Sequence, residues 1–142
     1  MEPLKLGQVI WIKARFNNSG AVSATKHPYI IIGHSKEMGY YEVAQFDSLA
    51  GKEYKAMMSS NKVIFCYNPD ETVISKDSYV QMDNKFMIEE YPELAKYRST
   101  KDTLSKSKFD DLVAAYTKYQ RSHQIDDNKI VYMTKEEVED LN

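Results

Sequence analysis

Lys26, His27 and Pro28 set a cation, a proton-transfer group and a chain stiffener side by side. Histidine changes charge near neutral pH, which suits it to general acid–base work. Lysine is a compact positive charge for a phosphate. Proline biases the residue before it toward extended backbone, so His27 is expected at a strand entrance. Ser48 offers a hydroxyl just past another apolar run. His34 lies roughly 23 Å from His27 at strand rise, too far to act with it, and reads as a turn residue. His123, where a helix should end, reads as a cation compensating the helix dipole.

Other chemistries lack their signatures. The chain has no glycine-rich phosphate loop, no HExxH and no GxSxG. One cysteine and three scattered histidines give no metal-ligand spacing. Asp126-Asp127-Asn128 resembles the start of a calcium loop but lacks its later ligands and its glycine. No metal and no cofactor are expected. Cys66 cannot form a disulfide within the chain, which fits a reducing compartment. The polar N-terminus does not read as an export signal, and no apolar run approaches the ~18 residues of a membrane span. The protein is expected in the cytoplasm, with no membrane partner.

The elements that must hold these residues are mostly strands. Leu6–Ala14 and Tyr29–Gly33 are continuous apolar runs, and Tyr40–Phe46 alternates. Asn17–Gly20 has turn chemistry, and the polar segment Phe16–Lys26 suggests a long mobile loop. YKAMMSS (Tyr54–Ser60) and Lys62–Asn68 follow as strands, then a turn at Asn68–Glu71. Ser78–Tyr91 is a long strand with a break near Asp83–Asn84. The pattern favours a small antiparallel barrel or sandwich.

The second half turns helical. Pro92 can open a short helix. Phe109, Leu112, Val113 and Tyr116 fall on one stripe of a longer one, with Ser105 or Ser107 as its cap. KIVYM is a short strand candidate. Thr134 and Glu137 form a capping box, with Met133 and Val138 as its staple. The chain thus reads as one domain over residues 1–123, followed by a tail over 124–142. That tail's helix is too short to stand alone and must dock on something.

Net charge is −2, but residues 1–70 carry 8 Lys/Arg against 6 Asp/Glu and residues 71–142 carry 11 against 15. A modest basic surface on the first half is compatible with nucleic acid, as is a merely solvated face. The eleven tyrosines and five phenylalanines suit strands and core, or stacking on bases.

Taken together, GQVIWI (Gly7–Ile12), a loop of about fifteen residues, KHPYIII, VAQFDS, SYVQMDNKFMIEE and TLSKSKFDDLVAAY stand in an order that resembles the MazF/PemK family of toxin endoribonucleases. The resemblance covers residues 6–120. It implies an SH3-like barrel with helices, a homodimer, and an acidic antitoxin that competes with single-stranded RNA. It implies cleavage without metal, in which a 2′-hydroxyl attacks the adjacent phosphate. His27 falls where the family carries arginine, Ser48 on its hydroxyl position, and Asp83-Asn84 on a late polar pair. Lys26 or Lys85 would then supply positive charge, and Asn84 would contact RNA. Arginine grips a phosphate bidentately and histidine does not. His27 therefore serves as the acid/base, or the site is degenerate and the barrel only binds. A small-barrel regulatory domain with no toxin link is the blandest alternative.

Overall fold

The computed structural model describes residues 1–66 and 73–142. The turn expected at Asn68–Glu71 and the end of the strand expected at Lys62–Asn68 lie outside the described residues. The strands are β1 (Val9–Ile12), β2 (His27–Ser35), β3 (Tyr40–Ser48), β4 (Asn61–Ile64), β5 (Ser78–Gln81), β6 (Lys85–Glu89) and β7 (Ile130–Met133). Among the described residues, two α-helices come late, α1 (Lys106–Ser122) and α2 (Lys135–Leu141). The fold is mainly antiparallel β with C-terminal helices, as expected.

β3 organises the sheet. Tyr40–Val43 pair with β6, Phe46–Ser48 pair with β5, and β2 runs along the other edge. The sheet forks at that point, with order β1-β2-β3-β5-β4 on one path and β6 then β7 off it. Among the described residues it does not close into a barrel, and its β6–β7 pair is parallel. The fork arises where Met82, Asp83 and Asn84 interrupt the expected long strand. Asp and Asn are poor strand formers, and here they turn the chain from β5 to β6.

Both faces of β2 are covered, which explains its unbroken apolar run. Tyr29 and Ile31 enter one core with Ile10, Ile12, Val43, Phe86 and Leu94. Ile30 and Ile32 enter the other with Phe46, Val80, Met82, Leu112 and Tyr116. Helix α1 closes the second core through Leu112 and Tyr116. The expected tail closes the first: Val131, Met133 and Val138 are buried within it. Thr134 caps α2 by accepting from the Glu137 N–H at 3.2 Å.

Two local expectations change. YKAMMSS is no strand; Glu53–Met57 is a 3-10 turn with no buried residue. Its N–H groups bond three residues back, Lys55 N–H to Lys52 O at 2.9 Å, so the segment needs no sheet partner. Phe16–Lys26 is tied down rather than free. Asn18 Nδ2 donates to Asp127 O and Ile130 O at 2.9 and 2.8 Å. Ser23 Oγ accepts from the Ala14 N–H at 2.8 Å. Arg15 Nε reaches Glu137 Oε2 at 2.7 Å.

Gly7 sits at φ +86, and an added Cβ would lie 3.3 Å from the Leu104 nitrogen. Its carbonyl accepts from that same N–H at 2.9 Å. Left-handed backbone costs other residues about 1–2 kcal/mol. Gly7→Ala is therefore expected to lower stability by at least that much, read as a lower urea midpoint with an unchanged slope.

Candidate functional site

Pro28 makes His27 the first residue of β2, opposite Ile12 of β1. The Tyr29↔Gln45 register, carried on by two residues, sets His27 beside Asp47 of β3. Asp47 pairs with Tyr79 of β5, and Tyr79 with Val63 of β4. Ile12, His27, Asp47, Tyr79 and Val63 thus form one row across the sheet. Residues opposite one another in a sheet share a face, with Cα atoms about 4.5–5.5 Å apart. The row therefore brings an imidazole, a carboxylate and a phenol together.

Asp47 is held as an anion. Its Oδ2 lies 2.8 Å from Lys52 Nζ, and its Oδ1 accepts from the Ser48 N–H at 2.8 Å. Burial raises its pKa, but the Lys52 and Ser48 hydrogen bonds and the charges of Lys52 and His27 outweigh that and hold it below the ordinary carboxylate value. Tyr79 is 4% exposed, and burial pushes its phenol up against the opposing pull of Lys52. Lys55 Nζ lies 6.0 Å from the centre of the Tyr79 ring. Phe16 packs edge-on against the His27 ring at 5.8 Å. The Asp47–Lys52 pair is half-exposed, so its worth is positional, with at most about 1 kcal/mol of stability.

The other residues singled out in the sequence go elsewhere. Ser48 alternates with Asp47 and shares the face of Phe46; its Oγ accepts from the Ala50 N–H at 3.1 Å. It lines a cleft on the α1 side with Trp11 and Pro28. His27 and Ser48 thus stand on opposite faces of the same sheet end. Lys26 Nζ sits 5.6 Å over the Tyr97 ring. Asn84 donates to Gln81 Oε1 at 3.1 Å, and its carbonyl accepts from Tyr116 and Gln120 of α1. Lys85 pairs with Ile130 of β7. Asn84 and Lys85 thus flank the fork rather than the His27 row. His34 is not in a turn: it closes β2, stacks on Tyr41 at 4.4 Å and meets Glu90 at 2.9 Å. His123 does cap a helix, stacked on Tyr119 at 3.9 Å.

Lys26 borders a second cluster, on the tail. Glu139 of α2 accepts from Lys96 Nζ at 2.5 Å, from the Tyr91 hydroxyl at 3.2 Å and from the Tyr97 hydroxyl. The hydrogen bonds from Lys96 and then Tyr97 hold its carboxyl below the ordinary value. A depressed carboxylate pKa stabilises the fold above the unfolded pKa, about 4.3, and that contribution is lost as pH falls through the folded value. Thermal melts from pH 6 downward are expected to show this loss begin below about pH 4.3, with a shallower fall in Glu139→Gln.

Among the described residues, no three His, Cys, Asp or Glu side chains come together as metal ligands, and no helix is long and apolar enough to cross a membrane. Neither a family model nor a curated protein matches the chain.

Proposed function

We propose that the protein is an endoribonuclease toxin of a toxin–antitoxin pair, acting on single-stranded RNA at the His27–Asp47 row. The open, forked sheet is read as an SH3-like scaffold of the MazF/PemK kind. One observation carries the proposal: His27, at a strand entrance, shares a sheet row with an ionised carboxylate. In this reading His27 takes the proton of the 2′-hydroxyl, whose oxygen attacks the adjacent phosphorus. The 5′-oxygen leaves and is protonated by water, and a 2′,3′-cyclic phosphate remains. Asp47 stands beside the ring as a fixed negative charge, and Lys52 faces the negative charge that builds on phosphorus. The reading carries with it a homodimer and an acidic antitoxin that competes for the RNA surface.

A second reading is favoured by the separation of His27 from Ser48. With the hydroxyl on the opposite face, the same scaffold serves as a protein- or nucleic-acid-binding module without cleavage. Incubating the purified protein with single-stranded RNA and EDTA decides between them. New cyclic-phosphate ends are expected; intact RNA at stoichiometric protein would overturn the nuclease reading in favour of the module.

A further inference from the structure

We propose that the cleft between Trp11 and Lys76, on the face of the sheet opposite His27, is a subsite for one unpaired nucleotide. This deepens the RNA-cleaving reading and rests on it. The cleft has a volume of about 360 Å³, within the range of about 300–1,000 Å³ usual for small-ligand sites. Trp11 is the exposed position of β1, 45% open to solvent, and pairs with Pro28 across the strands. The exposed indole offers a flat surface to a base, and the Pro28 beside it is buried. Phe46 and Ile74, both buried, form the apolar floor.

Polar groups complete the lining. Ser48 Oγ accepts from the Ala50 N–H, which leaves its own proton free to donate. Ser78 Oγ donates to Lys76 O at 2.7 Å and keeps acceptor capacity. Lys76 is exposed beside them. Asp47 also lines the cleft, but its carboxylate is engaged by Lys52 and the Ser48 N–H. A stacking surface, an apolar floor and, among the described residues, a lysine beside hydroxyls match a base with its phosphate, as on single-strand-binding surfaces. Ser48 and Lys76 also line a second cleft that holds Glu53 and Asp77. Those carboxylates repel phosphate, so the phosphate of the bound nucleotide is placed on the Trp11 side of Lys76 rather than in the second cleft.

The chain holds a single tryptophan, so its emission reports on this cleft. The full-length protein is titrated with a 2′-deoxy single-stranded hexamer, which lacks the attacking hydroxyl and binds without being cut. A saturable change in Trp11 emission is expected, and none with an abasic hexamer carrying the same phosphates. Trp11→Ala should weaken binding of end-labelled hexamer about tenfold or more by anisotropy, and Trp11→Phe should restore most of it. Lys76→Ala should weaken binding and lower its salt slope by about one. The subsite is wrong if the hexamer fails to bind, binds without changing the emission, or binds as well when abasic. RNA cut with silent Trp11 emission would remove the subsite and leave the nuclease. A saturable response with RNA left intact would do the reverse.

Discussion

A chain ending at His123 is expected not to fold. The sequence invites that truncation, because residues 124–142 read as a tail behind a complete domain. The structure gives them a load the sequence does not show. Val131 and Val138 are fully enclosed and Met133 is 2% exposed, all in the core beneath β2 and β6. Burying each such side chain is worth about 1.5–3 kcal/mol. The three together approach about 5–9 kcal/mol, against a typical whole-domain stability of about 5–15 kcal/mol. The cut also strips β6 of its β7 partner along Lys85–Ile88 and opens Phe86 and Ile88 to water. It frees the β1–β2 loop as well, since Asn18 and Arg15 anchor on residues beyond 123. Circular dichroism and amide exchange of residues 1–123 should show loss of the cooperative transition. A melt with native strand content would mean that β7 and α2 only decorate the sheet. Val138→Asp in the full chain tests the same packing without moving the terminus, and is expected to lower the melting temperature by more than 10 °C.

Apolar periodicity made most elements legible. The Tyr29–Gly33 run, the break at Asp83–Asn84, the α1 stripe and the Thr134 cap all stand where the residues place them, because each is decided locally. The candidate site was only half legible, and the cause is one residue in β2. Near the turn, Ser35 pairs with Tyr40, His34 with Tyr41 and Gly33 with Glu42. Extended without interruption, that register sets His27 opposite Ser48. The sheet instead carries a bulge between Ile31 and Gly33, after which Ile31 pairs with Val43 and Tyr29 with Gln45. A one-residue slip moves every later side chain to the other face. Asp47 thereby takes the place beside His27, and Ser48 turns to the α1 side. Gly33, which weakens a strand interior, was the one available sign of the bulge. Lys26 was misleading too: it precedes β2 rather than belonging to it, and its ammonium rests over the Tyr97 ring.

His27→Ala is expected to lower the RNA cleavage rate by about 10²–10⁴-fold, the usual contribution of a positioned acid or base. The row makes the prediction sharper than a bare loss of activity. Asp47 does no chemistry on RNA in this reading; it places a negative charge beside the imidazole. Asp47→Asn keeps the shape but removes the charge that Lys52 and the Ser48 N–H stabilise, and should cost about a hundredfold by removing the negative charge that faces the imidazolium as it forms. That loss belongs in kcat, because the bound RNA is no less well held. Ser48→Ala should do the opposite. Its hydroxyl lines the Trp11 cleft, so its removal should raise KM and spare kcat. Binding of a 2′-deoxy hexamer is the control: it should survive His27→Ala and weaken in Ser48→Ala. Equal kcat losses for His27→Ala and Ser48→Ala would mean that both residues meet one phosphate, and that the strand end opens around RNA in a way this register does not allow. Undiminished cutting by His27→Ala would remove the imidazole from the chemistry altogether. The row would then be a structural ladder of His27, Asp47 and Tyr79 that fastens β2 to β5 through β3.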